Sequence, residues 1–367
     1  MKRMFLFVIG VICLTGMIEQ ASEACMVFRL KAEDGTVLTG RAMEFAQDLH
    51  YDIIVVPRNM PILSPGPRGG QGLSWKTRYG YVGVAQLGNE YGLSEGMNEK
   101  GVTVSELWFE LDMKWQDVPL GKESQALAGP LVADWILGNL DGVADIEREL
   151  ANVRAFSYCA PEAPSLCPTL HFNACDATGA CKVIEYEDGA LRVYDNPLGV
   201  MTNGPRYPWH MANLRQYVGI TSSMPASREW SHVALRPTGH GAGMFGLPGD
   251  LTPPSRFVRL AAITQFADPQ PDARHALNLA QHIMNDFDIV FGMISDPQPN
   301  GKPPLEESTQ WSSFSDLTNR VFYFRTYDNL NLRRIDFKKL DFSAPKIKRI
   351  PMFGTPEAIV DVAAQAR

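Results

Sequence analysis

The sequence predicts an α+β protein built on antiparallel sheets. Strand-like runs follow one another across hairpin-type turns, helical periodicity is confined to two blocks, and no regular strand–helix alternation joins them. The last point argues against a doubly wound, dinucleotide-binding sheet. CMVFRL, from Cys25, reads as the first strand, residues 31–35 as a turn and TVLTGRAMEF as the second strand. Residues 60–73 are dense in Pro and Gly and predict a loop. Two β-prone runs follow at 79–86 and 101–109, linked by a turn at 97–101. Apolar residues at helical spacing predict helices over 124–140 and 143–153. Strands resume in TLHFNAC, CKVIEY and LRVYD, separated by Asp-Ala-Thr-Gly and Glu-Asp-Gly-Ala turns. The second helical block covers 255–266 and 272–287 and starts behind Pro253-Pro254, where proline suits a first helical turn. Residues 320–327 and NLNLRRIDF close the pattern as strands. No internal repeat or low-complexity linker interrupts it, so residues 25–367 are expected to form one domain.

Composition narrows the function classes. The 367 residues are 45% apolar and 20% charged, a globular balance, and 31 Gly with 26 Pro imply many turns. A net charge of −7 argues against nucleic-acid binding or a polybasic membrane surface, both of which need clustered cations. Lys2 and Arg3 precede an apolar stretch at 5–18, shorter than the roughly 20 residues of a membrane span. Ser22-Glu23-Ala24 then offers small residues before a cleavage point, so residues 1–24 read as a signal peptide and the mature chain begins at Cys25. The expected location is periplasmic or secreted, without a stable membrane anchor. A lipid-modified Cys25 is the competing reading, but Glu23 stands where that signal wants a small uncharged residue.

Cleavage discards Cys13 and leaves five cysteines. Cys159, Cys167, Cys175 and Cys181 fall close together, which in an oxidising compartment indicates disulfides. Cys175 and Cys181 flank a hairpin-turn sequence and can face each other, leaving Cys159 and Cys167 to pair across a Pro-containing loop. A zinc site competes, but the spacing lacks the close ligand pairs of zinc knuckles. Connectivity therefore stays open, and Cys25 is the odd thiol.

Other chemistries find less support. Gly92-Leu93-Ser94-Glu95-Gly96 matches a serine-hydrolase elbow literally, yet a turn and a strand follow it instead of a helix. The seven histidines are scattered without a metal-binding spacing, and Gly69-Gly70-Gln71-Gly72 opens no helix. An N-terminal cysteine, by contrast, carries a nucleophilic thiol and an α-amine whose ordinary pKa is about 7.7–8.0, a nucleophile and base on one residue.

Cys25, Arg41 within GRAMEF, LHF at 170–172, VIEYEDGALRVYDNPLGVMTNGP at 183–205, GLPGDLTPPSRFVR at 246–259 and TQWSSFSDLTNRVFYFRTYDNLNLRRID at 309–336 together resemble the choloylglycine hydrolase and penicillin V acylase family. The resemblance spans nearly the whole mature chain. It implies a four-layer αββα N-terminal nucleophile hydrolase fold that cleaves linear, non-peptide amides, with Cys25 as nucleophile and its α-amine as base. It also implies that Arg41 lies near the sulfur and favours thiolate, that Asn203 offers its amide to the oxyanion, and that Arg256 completes the polar network. Glu44 stands where the family often has Asp as partner of the amine. A backbone N–H at Trp108 is the implied second oxyanion donor, and the Trp108 ring places an apolar face at the pocket. No metal or organic cofactor is implied. The expected partner is a small-molecule amide, with an apolar acyl group on a small polar amine, and the family allows a homotetramer. The alternative is a non-catalytic exported lipoprotein or ligand-binding protein anchored through Cys25.

Overall fold

The computed structural model describes residues 25–110, 113–159, 167–298 and 302–365. The expected signal peptide, with Cys13, lies outside the described residues. Two antiparallel sheets stack face to face. In one, the strand order is Met201–Thr202, Met26–Lys31, Val37–Phe45, Leu305–Asp316, Val321–Thr326 and Asn329–Asp336. The other runs Ala190–Asp195, Cys181–Glu187, Leu170–Cys175, Thr103–Trp108, Leu93–Asn98, Tyr81–Ala85, Asp52–Val56 and Lys348–Pro351. Helices Pro253–Phe266 and Ala273–Asn285 cover the first sheet. Helices Val132–Asn139 and Ile146–Leu150 cover the second. The four layers are therefore αββα, as expected, with one apolar core between the sheets and another beneath the shorter helices.

Local chemistry explains the register at the start of the chain. Phe28 lies opposite Gly40, where a Cβ would stand 2.4 Å from the Phe28 ring, so only glycine lets the two strands close. That pairing sets Val27 opposite Arg41 and Met26 opposite Ala42, while Met26 also pairs with Thr202 on the other side. Cys25 thus sits at the strand end, one step from both Met43 and Asn203.

Several sequence expectations need correction. Residues 60–73 are not a plain loop, since Pro61–Pro65 and Gln71–Lys76 pair as a hairpin. The helix expected over 124–140 begins only at Val132. Pro130 has no N–H to donate and disfavours helical geometry in the residue before it, and Ala126–Ala128 instead pairs with Arg154–Phe156. The 143–153 helix contracts to Ile146–Leu150. Helix Tyr207–Leu214 and strand Leu93–Asn98 were not anticipated. The latter absorbs the GLSEG motif: Ser94 lies inside a buried strand, without the strand-to-helix turn that exposes a serine nucleophile. Disulfides join Cys175 to Cys181 and Cys159 to Cys167, and the loop between the latter pair lies outside the described residues. Cys25 is free and buried. No described helix is long and apolar enough to cross a membrane.

Candidate active site

Three neighbouring strands of the first sheet and the helix Pro253–Phe266 bring Cys25, Arg41, Asn203 and Arg256 into one buried cluster. Arg41 Nη2 donates to Cys25 Sγ at 3.3 Å and to the Glu106 carbonyl at 2.6 Å. Its guanidinium lies 5.7 Å from the centre of the Trp311 ring, and Nη1 donates to the Ala42 carbonyl. The cation is thereby fixed from several sides, a task suited to a planar, forked donor. From the covering helix, Arg256 Nη1 donates to the Cys25 carbonyl at 2.8 Å and Nη2 to Asn203 Oδ1 at 2.9 Å.

Asn203 is held at three points. Besides accepting from Arg256, it donates from Nδ2 to the Trp108 carbonyl at 3.1 Å, and its own carbonyl lies 2.9 Å from His210 Nε2. Burial pushes His210 down to about 4, so its imidazole is neutral near pH 7, and bonding to a carbonyl places the proton on Nε2. The Trp108 backbone faces the same place. Phe109 N–H donates to the Thr169 carbonyl across the sheet, and in an antiparallel ladder the next residue's N–H and C=O point the other way. Trp108 N–H therefore shares a side with the carbonyl that Asn203 contacts.

Glu44 is fully buried, and Thr309 Oγ1 donates to its Oε1 at 3.2 Å. Oε2 has no hydrogen-bond partner among the described residues. Burial raises the carboxyl to about 8, against the pull of Arg256 and Arg41 and with repulsion from Glu307. Its backbone carbonyl lies 3.9 Å from Cys25 Sγ. The sulfur itself is held as a thiol: burial raises its pKa most, Arg41 lowers it, and Glu44 raises it again. Arg41 thus acts in the expected direction without overcoming desolvation.

Cys25 and Arg41 form part of the wall of a cavity of about 370 Å³. Met43, Phe45, Leu49, Leu131 and Leu170 make its lining largely apolar, and half-buried Trp108 contributes as the sequence suggested. Leu63 and Pro65 of the unanticipated hairpin, with Tyr158 and Pro168 beside the Cys159–Cys167 disulfide, also line it. Such a site suits an apolar group with a polar reacting centre at one end. Among the described residues no three His, Cys, Asp or Glu side chains are grouped to hold a metal.

Sequence reasoning missed the groups that hold these residues. Thr309 and Trp311 stood inside a quoted block without a role, and His210 was one of seven scattered histidines. Only the register that pairs Glu44 with Thr309, and the packing of His210 under Asn203, assigns them. The Glu106 carbonyl carries no side-chain signal at all.

The fold is the α+β, αββα architecture of N-terminal nucleophile hydrolases. Residues 25–349 match the family of linear amide C-N hydrolases, the choloylglycine hydrolase family, and the chain belongs to it. It is 30% identical over 329 residues to a bile salt hydrolase/transferase of Clostridium perfringens, covering 88% of this chain and 95% of that one. A penicillin V acylase of Pectobacterium atrosepticum is 23% identical over 326 residues, 83% of this chain and 78% of that protein. The crystal structure of a conjugated bile acid hydrolase variant from C. perfringens superposes with a TM-score of 0.78 at 28% identity, covering 92% of this chain and 99% of that one. The penicillin V acylase structure from Agrobacterium tumefaciens, at a TM-score of 0.71, 22% identity and coverage of 89% and 91%, shares the fold.

Proposed function

We propose that the chain is an exported amide hydrolase whose nucleophile is the Cys25 thiol, made N-terminal by removal of residues 1–24. The observation that carries this reading is the free Cys25 sulfur, 3.3 Å from a buried guanidinium, at the wall of an apolar cavity. Once freed, the α-amine takes the thiol proton as sulfur attacks the amide carbonyl. Glu44, with its Oε2 unpaired, holds the amine, and the extra methylene relative to aspartate is accommodated by the Thr309 bond. Asn203 Nδ2 and Trp108 N–H receive the oxyanion, each such donor contributing about 2.7–4 kcal/mol. Collapse breaks the C–N bond, and the proton passes to the leaving amine. Water then hydrolyses the thioester to a carboxylic acid and restores the thiol. The scheme uses neither metal nor organic cofactor.

The cavity favours an apolar acyl group on a small polar amine: a conjugated bile salt, penicillin V or a long-chain acyl homoserine lactone. Trp108 and the expected export to the periplasm or beyond favour the last two. A homotetramer belongs to the same reading.

Intact mass of purified protein should show a chain that begins at Cys25 and carries no lipid. A diacylglyceryl adduct, or a residue retained before Cys25, would establish the anchored, non-catalytic alternative instead. A panel of glyco- and tauro-conjugates, penicillin V and acyl lactones of several lengths should reveal the substrate, and Cys25→Ser should abolish turnover. Full activity in that variant would sink the mechanism.

A further inference from the structure

We propose that Glu106 and Ser94 form an oxygen-recognition pair in the cavity wall, selecting acyl groups that carry an ether, keto or hydroxyl oxygen near the scissile carbonyl. The position of that oxygen relative to the scissile bond rests on the reading of Cys25 as nucleophile.

The two residues belong to adjacent strands. Each lies one residue beyond the last ladder pair, Glu95 with Ser105, and Ser94 is bulged out of its own strand's pairing with Tyr81–Ala85, which frees its side chain for the cavity wall. Both line the cavity, and both are nine-tenths or more buried, at 2% and 6% exposure. Neither Ser94 Oγ nor Glu106 Oε2 has a hydrogen-bond partner among the described residues. Buried polar groups ordinarily find one, and a fold that leaves two such groups unpaired at the wall of a largely apolar cavity leaves them to a ligand. Their place along that ligand follows from Arg41, whose Nη2 touches both the sulfur and the Glu106 carbonyl. Residue 106 is a single guanidinium away from the nucleophile, so the recognised oxygen lies toward the carbonyl end of the acyl group.

The chemistry of the pair indicates an acceptor. Burial holds the Glu106 carboxyl well above the usual carboxylate range, with Asp134 adding to the effect and Arg41 opposing it. A raised carboxyl favours its protonated form, an O–H donor that with the Ser94 hydroxyl is matched to an uncharged ligand oxygen.

The test uses N-acylglycines of one chain length in which an ether oxygen replaces successive methylenes, titrated calorimetrically into Cys25→Ala protein. One ether position should bind roughly tenfold more tightly than the all-methylene parent. Adding Glu106→Leu should erase that preference, and Glu106→Gln, which still donates, should keep most of it. Ser94→Ala should reduce it in part. The proposal is overturned if no ether position outbinds the parent, or if the preference survives Glu106→Leu. Binding to Cys25→Ala protein needs no turnover. Failure of the nucleophile reading would therefore appear separately, as unmodified enzyme leaving a tightly bound N-acylglycine uncleaved.

Discussion

Replacing Arg41 by leucine tests the electrostatics at the sulfur directly. The guanidinium nitrogen stands 3.3 Å from Cys25 Sγ and the residue is buried. At an effective dielectric of about 20, unit charges roughly 4 Å apart attract by about 4 kcal/mol, equivalent to about 3 pK units on the thiol. Burial and Glu44 already raise that pKa, so removing the Arg41 cation, which lowers it, moves it further upward. Arg41→Leu should therefore shift the midpoint of Cys25 alkylation by iodoacetamide up by about 2–3 units, read by intact mass as a function of pH. The assay is clean because the other cysteines among the described residues are disulfide-bonded. A more basic thiolate is also more nucleophilic, which recovers about half of the logarithmic loss, so kcat/KM at neutral pH should fall roughly 10–50-fold. Arg41→Lys keeps the charge but not the fork that reaches sulfur and the Glu106 carbonyl together, and should give a smaller shift. A folded Arg41→Leu protein with an unmoved or lowered alkylation midpoint would refute the electrostatic role, and any activity loss would then be scaffolding.

On the proposed mechanism, in which the Asn203 amide bonds the oxyanion more strongly than the ground-state carbonyl, Asn203→Ala should lower kcat by roughly 10²–10³ with less effect on KM; steady-state kinetics on the best panel substrate decides this. Asp134 accepts from Tyr81 Oη and Gly92 N–H, both at 2.9 Å, and burial raises it from 3.8 to about 7. A raised acid contributes stability that is complete below its unfolded pKa and lost as pH rises through the folded one. The Tm of the unmodified protein should thus fall relative to Asp134→Asn between about pH 4 and 7 and then level off, and parallel thermal melts check the sign. Replacing Cys159 and Cys167 together by serine should raise KM more than it lowers kcat, because that disulfide holds Tyr158 and Pro168 at the cavity.

Much of the architecture was legible because it follows from local periodicity. Strand Met26–Lys31, strand Val37–Phe45, the hairpin around Cys175–Cys181 and helices Pro253–Phe266 and Ala273–Asn285 appear where alternation, turn residues and proline place them. The failures cluster where long-range pairing overrides composition. The Pro/Gly-rich 60–73 stretch gains strand structure by pairing with itself and packing on Ala126–Ala128, a contact that no window of sequence contains. The 124–140 error has a local cause, since Pro130 sat in plain view as a helix-start signal and was outweighed by apolar spacing.

The candidate site divides in the same way. Cys25, Arg41, Glu44, Asn203, Arg256 and Trp108 were nominated from the chain; the fold gathers them around the Cys25 sulfur and backbone, and Cys25, Arg41 and Trp108 also line the cavity. Residue identity determines which groups are available: a thiol, guanidinium cations, a side-chain amide, carboxyls. Only tertiary structure decides how they behave, because burial and partner geometry belong to no single residue. It brings Asn203 to Cys25 through a two-residue strand pairing and leaves Ser94 a wall residue instead of a nucleophile. It also raises the Cys25 thiol and the Glu44 carboxyl together, since desolvation in a sheet-to-sheet core outweighs the nearby guanidinium charges.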